Sequence, residues 1–335
     1  GGLVIVDVSD PGRPQYVSHL DCVAGGNTDV YAAADHVFLA AGNQALRIVN
    51  VTDPASPRLV SEPGVGSRFV NAVYVSGDYA YLSHGTQGLG LARIQPPETS
   101  VYQLTHTPDA WGRIEIVGHL GYVSTLSGMQ IMDFTDPRER VPKGSVDLGA
   151  RAEGVAVRGD YAYLPMADGL HVIDVSDPDH PMESGVYSTS NGVGAVRIVG
   201  ETAYICVGTA TQSTIQALDL GNPTQPSLLG EWPIKGGRPA MEVHLRHVLL
   251  LSSFAGVSRM DIVDFTNPTA PAWVAAWENP GTVKRIHGGA DAVMAACDAG
   301  GFKVIDTTNP ATPRVTGSYT PPGGASVLCV DQLGT

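Results

Sequence analysis

Apolar positions along this chain fall in short runs of four to eight residues, cut by Gly, Asp, Asn or Pro, and none keeps a helical period for three turns. The runs are rich in Val, Ile, Leu and Tyr, which favours strands over helices. One pattern recurs eight times: an apolar strand ending near Asp or Asn, a Pro-containing turn, and usually a second Pro three residues on. It reads GLVIVDVSDPGRP (2–14), LRIVNVTDPASP (46–57), LGLARIQPPETS (89–100), MQIMDFTDPRER (129–140), LHVIDVSDPDHP (170–181), IQALDLGNPTQP (215–226), MDIVDFTNPTAP (260–271) and FKVIDTTNPATP (302–313). Repeats of about 40 residues signal a stacked or radial all-β array.

The unit at 151–188 is the clearest. It predicts strands over 154–158, 161–165, 170–175 and near 182–187, with a tight hairpin at Gly159-Asp160. In the Asp-Pro turns the carboxylate accepts backbone N–H groups, while Pro presets φ and stops the ladder. Four short antiparallel strands per repeat make one propeller blade. First strands are expected near 29, 72, 113, 154, 195, 241, 284 and 325, and third strands near 3, 46, 89, 129, 170, 215, 260 and 302. Both series predict an eight-bladed all-β propeller, closed by N-terminal outer strands (1–20) joining a C-terminal inner strand (323–332). Seven blades with an irregular closure is the alternative. With no low-complexity linker, the expectation is one domain over 1–335.

The strand GLVIVDVSDP (2–11), its relatives at 170–178 and 302–310, and the Tyr-Ala-Tyr segments at 79–81 and 161–163 resemble the bacterial and archaeal LVIVD repeat family. The resemblance spans nearly the whole chain and implies a β-propeller, with a frequent extracellular or surface location. It carries over no catalytic residues. The chain departs from the pattern at 93–100, and at 138–141, where Arg140 replaces the second Pro.

Charge narrows the partners. The net charge is −13 and no Lys/Arg cluster marks a phosphate-backbone site, so nucleic acid is not expected. No apolar run reaches membrane-spanning length. The chain shows no leader peptide, and its Gly1-Gly2 start suits a processed protein, so a secreted, periplasmic or cell-surface location is open. Cys22, Cys206, Cys297 and Cys329 match no metal or redox spacing, and read as buried thiols.

Candidate chemistry lies on the first strands, which in a propeller line the central funnel. There the chain places charges of unequal kind: Asp29 with Tyr31, Arg113 with Glu115, Arg285 with His287, and Glu242 with His244 share faces by alternation. Arg197 stands where the clearest blade has Ala156, and Arg68 precedes a first strand. His287 and His244 are candidate proton-transfer groups, with Glu115 or Glu153 as partner acid or base. Arg113, Arg197, Arg285 and Arg68 are candidate anion ligands, Tyr31 and Tyr74 supply hydroxyls, and Trp111 offers a stacking face. The competing reading is that these charges pair between blades to hold the array together. A metal at His244, His287 and Glu242 is disfavoured, and the D-x-x-D strings at 7–10, 133–136 and 174–177 suit turn capping better than calcium.

No Walker A, Rossmann, HExxH or GxSxG motif is present, and no cofactor is expected. The main expectation is therefore a binding or interaction propeller for a small polar molecule or a protein. The alternative is a cofactor-independent lyase, isomerase or hydratase built from dispersed Arg, Glu and His.

Overall fold

The computed structural model describes residues 2–10, 12–21, 29–41, 46–62, 70, 72–83, 89–94, 101–105, 110–135, 141–209, 212–235, 240–244, 247–254, 257–280, 282–288, 292–298 and 300–321. Its secondary structure is strand throughout. An N-terminal hairpin, β1 (Gly2–Asp7) and β2 (Gln15–Asp21), precedes seven four-stranded antiparallel sheets, each a blade. The first holds β3 (Asp29–Ala33), β4 (His36–Ala40), β5 (Leu46–Asn50) and β6 (Arg58–Ser61). The second holds β7 (Ala72–Ser76), β8 (Tyr79–Ser83), β9 (Leu89–Arg93) and β10 (Val101–Thr105). The third holds β11 (Ala110–Val117), β12 (Leu120–Thr125), β13 (Gly128–Asp133) and β14 (Val141–Asp147). β15 (Ala156–Arg158), β16 (Tyr161–Pro165), β17 (Gly169–Asp174) and β18 (Met182–Ser188) form the fourth. β19 (Val193–Val199), β20 (Thr202–Gly208), β21 (Gln212–Asp219) and β22 (Ser227–Lys235) form the fifth. The sixth comprises β23 (Ala240–His244), β24 (His247–Phe254), β25 (Val257–Asp264) and β26 (Ala272–Pro280), and the seventh β27 (Arg285–Gly288), β28 (Ala292–Ala296), β29 (Phe302–Asp306) and β30 (Arg314–Tyr319).

The expected eight blades are thus corrected to seven. Seven sheets have four strands, whereas β1 and β2 pair only as a two-stranded sheet. The expected inner strand at 323–332 lies outside the described residues. The physical reason appears within one compact unit, Gly1–Pro108 with Ala255–Ser258 and Trp277–Thr335. Arg285 on β27 meets Asp29 on β3 directly, so the inner strands of the seventh and first blades already touch. The hairpin packs further out. Leu3, Ile5 and Leu20 rest on the first-blade core of Val37, Leu39 and Val49, and Val8 rests on Met294, Phe302 and Val304 of the seventh. Tyr16 stacks on Tyr319, ring centroids 5.8 Å apart. The hairpin is a wedge between two blades rather than a blade.

Asp109–Phe254 with Arg259–Ala276 form the second compact unit. In both units the core lies between consecutive blades. Between the fourth and fifth, Tyr163, Val172, Val196, Ile205 and Leu218 are almost wholly buried. Burying each such side chain contributes about 1.5–3 kcal/mol.

The repeated motif performs two jobs. Its strand-end Asp or Asn accepts a backbone N–H two residues on: Ser9 to Asp7 at 2.8 Å, Ser176 to Asp174 at 2.9 Å, Thr308 to Asp306 at 3.0 Å. The second Asp or Asn does the same, as in Ala55 to Asp53 at 3.0 Å and Ala311 to Asn309 at 3.1 Å. These carboxylates in the D-x-x-D strings are therefore turn caps. The turn itself docks onto the preceding blade. Gly144 on β14 donates its N–H to Pro178 O at 2.7 Å, and a side chain at Gly144, Gly185 or Gly230 would collide with the turn of the next repeat. Ser18 of the hairpin makes the equivalent contact through its hydroxyl, donating to Pro54 O at 2.5 Å.

Candidate functional site

The hairpins between first and second strands set a common register. Tyr31 pairs with Phe38, Tyr74 with Tyr81, Glu115 with Tyr122, Ala156 with Tyr163, Arg197 with Tyr204, Glu242 with Leu249 and His287 with Met294. Tyr31, Tyr74, Glu115, Ala156, Arg197, Glu242 and His287 therefore occupy one equivalent position in seven blades. Their neighbours along the strand, such as Val73, Val196, Met241 and Ile286, turn to the opposite face and are buried. Strand alternation thus keeps one face of each first strand for these side chains.

In the unit holding the third to fifth blades, this position builds a cavity. Glu115 on β11 and Arg197 on β19 flank β15, where the residue in register is only Ala156. The small methyl leaves a space of about 340 Å³ lined by Glu115, Ala156, Arg158, Val196, Arg197 and Ile198, among others. Glu115 is half-buried. Burial pushes its carboxyl above the ordinary carboxylate range, while the Val157 backbone N–H and the Arg197 charge pull part of that shift back. Arg197 donates to Val196 O at 3.2 Å, and its guanidinium lies 3.9 Å from Glu242, beyond hydrogen-bonding distance. Arg158 hydrogen-bonds to Glu201 at 3.0 Å. A carboxyl whose charged form is disfavoured, beside guanidinium donors in a concave site, can exchange a proton with a bound anion.

Other candidates serve different contacts. Tyr31 and Tyr74 meet edge to face, ring centroids 5.4 Å apart, and Tyr74 is 39% exposed. Arg285 is engaged by Asp29, which is buried and also accepts the Val73 N–H at 3.2 Å. One carboxylate thereby ties β3, β7 and β27. Glu153 is paired with Arg151 in the segment before β15. His287 is half-buried. Arg68 lies outside the described residues, as do the side chains of Trp111, Arg113 and His244. Of the residues expected to converge, the described structure brings Glu115 to Arg197. It adds two residues that sequence reasoning did not select, Ala156 as the space-maker and Arg158 as a second guanidinium. Aligning the first strands on their hairpin turns, as at Gly159-Asp160, would have revealed both.

Among the described residues, no group of three or more His, Cys, Asp or Glu is placed to hold a metal ion. Cys206 and Cys297 are buried. No helix among the described residues is long and apolar enough to cross a membrane.

Known proteins bear on the fold more than on the site. No curated protein matches the chain. The computationally designed Ika8 protein superposes with a TM-score of 0.70 at 10% identity, covering 93% of each chain. Saccharomyces cerevisiae Sqt1 gives a TM-score of 0.73 at 7% identity over 92% of this chain and 88% of that one. The β-propeller domain of Myceliophteria thermophila Cps50 (Swd1) gives 0.61 at 13% identity over 82% and 94%. Identities this low speak for the propeller fold alone, a fold that accommodates ligand binding. The LVIVD repeat itself matches residues 1–21, 24–62, 67–90 and 149–189. The chain thus carries LVIVD repeats over these segments, consistent with the seven four-stranded β-propeller blades of its strand order.

Proposed function

We propose that the chain is a cofactor-independent enzyme of the lyase, isomerase or hydratase kind, working in the cavity between Glu115 and Arg197. The observation that carries this reading is a half-buried carboxyl, its pKa raised by burial, facing a guanidinium across the gap left by Ala156. Glu115 is the acid–base group. Held closer to neutrality, it takes a proton from carbon or gives one to a departing hydroxyl. Arg197 binds the substrate's carboxylate and offsets negative charge that develops beside it. Val155, Val157 and Ile198 line the remaining wall.

The other candidates take supporting places in this proposal. Tyr31, Tyr74 and His287 share the register position of Glu115; Arg113, Trp111 and Arg68 remain candidate ligand contacts, and His244 remains a candidate proton-transfer group. Arg285 would have to release Asp29 to bind a ligand, and Glu153 would have to release Arg151. A single domain over 1–335 belongs to the same proposal.

The test is a panel of small hydroxy and unsaturated acids incubated in deuterated water and followed by proton NMR. Turnover should appear as deuterium incorporation or water loss, and Glu115→Gln should retain binding while losing roughly 10²–10⁴-fold in rate. Turnover undiminished in Glu115→Gln would sink the assignment.

A binding propeller is the second reading. It is favoured by the pairing of Arg285 with Asp29 and the approach of Arg197 to Glu242, which suit charges that hold blades together. Saturable binding with no turnover across the panel would select it.

A further inference from the structure

We infer that the ligand of this cavity is a small dicarboxylate, held at one end by Arg197 and at the other by Arg158. The inference rests on the cavity being a binding site and deepens that reading. Arg158 and Arg197, from neighbouring first strands, are both among the residues that line the space, against one carboxylate. Arg158 stands two residues beyond Ala156 on β15, so alternation gives it the same face. Its partner Glu201 is 72% exposed at the side chain, and exposed ion pairs of this kind are readily exchanged. Its second contact, to Leu220 O, is long at 3.5 Å. Arg197 is held no more firmly, since the Glu242 carboxylate is 3.9 Å from it. Each guanidinium presents a fork that matches a carboxylate in a planar, two-point contact.

The other side chains along the space are apolar: Val155, Ala156, Val157, Val196 and Ile198. Such side chains suit a hydrocarbon link between two charged ends. The 340 Å³ volume lies at the small end of the ligand-pocket range, which fits a metabolite of roughly four to six carbons. The chain as a whole carries −13, so an anion is recruited by these local cations rather than by the long-range field.

The experiment is isothermal titration of the full chain with succinate, with butyrate as the same length carrying one charge, and with inorganic phosphate. Succinate should bind at least tenfold more tightly than butyrate. Arg158→Gln should erase that advantage and leave butyrate unchanged, while Arg197→Gln should weaken both. Glu201→Gln, which frees Arg158 without altering the cavity wall, should tighten succinate alone, and it keeps the test informative if Arg158→Gln fails to fold. Equal binding of succinate and butyrate overturns the dicarboxylate inference and leaves the cavity reading standing. Phosphate binding more tightly than either acid also overturns it. Binding of none of the three removes both.

Discussion

Glu115 and the turn aspartates respond to acid with opposite sign. Burial raises the Glu115 pKa, so the folded chain holds that proton more tightly than the unfolded chain does. Its contribution to stability is therefore greatest at low pH and is lost as pH rises from about 4.5 through the raised value. Asp133, Asp174 and Asp306 are pulled down, chiefly by the hydroxyls of Thr135, Ser176 and Thr308. Their contribution is present above the usual 3.8 and is lost as pH falls through their lowered values. A melting profile against pH should consequently show a shallow decline above pH 4.5 that Glu115→Gln abolishes, while the acid limb stays in place. A second residue-scale outcome concerns Tyr163, which is fully buried with a hydroxyl that makes no hydrogen bond of ordinary geometry. Burial raises its pKa, and Arg158 offsets part of the shift. Tyr163→Phe should leave the melting temperature unchanged or raise it, because an unsatisfied hydroxyl is removed without opening a cavity. The turn aspartates were legible in the sequence because their partners are two residues away. Ala156 was not, since its importance is the space beside it, and that space depends on which residues the neighbouring blades place in register.

At the scale of the element, the repeat predicted most strands closely. The expected 161–165 became Tyr161–Pro165, and the hairpin glycine Gly159 has a φ of 57°, as its turn requires. One exception is β15, which begins at Ala156 rather than at 154. Before it, the Ala152 and Glu153 N–H groups are given to Thr125 O and Pro165 O, so the segment is committed elsewhere before the ladder starts. Third and fourth strands share a register break that no local pattern announced: between Ile5 and Val6, Ile48 and Val49, Val172 and Ile173, Ala217 and Leu218, and Val304 and Ile305. Bulges of this kind bend an outer strand and make its open edge a poor template for pairing with another chain. Just after the bulge, Gly185 lies against the backbone of Thr224 in the next repeat. Gly185→Ala should cost about 1–3 kcal/mol in urea unfolding, since a rigid backbone rather than a flexible side chain meets the new methyl. A cost near zero would mean that the turn does not bear on that strand.

For the whole molecule, the blade type was legible and the blade count was not. Counting third strands gives eight because the N-terminal hairpin carries the strand-and-turn pattern of the outer half of a repeat, down to GLVIVDVSDP. Whether that hairpin is a blade depends on contacts far apart in the chain, above all Arg285 with Asp29, which no repeat alignment contains. Asp29 also accepts the Val73 N–H, so removing it releases three first strands at once. Asp29→Ala should cost about 1.5–3 kcal/mol, the range for hydrogen bonds to a charged group. Hydrogen exchange should quicken in β3, β7 and β27 together, and a rise confined to β3 would contradict the three-way tie.

The docking of a Pro-containing turn onto a glycine of the preceding blade, as at Gly144, Gly185 and Gly230, also has a direction in time. Chain growth runs from the N-terminus, so Gly185 leaves the ribosome before Thr224 does. At about 5–20 residues per second, the outer strand of a nascent blade waits some 2–8 seconds for the turn that covers it. Each newly made blade is thus finished by its successor, and the interval between them is when the growing chain most needs its bulged, glycine-bearing edges to discourage wrong partners.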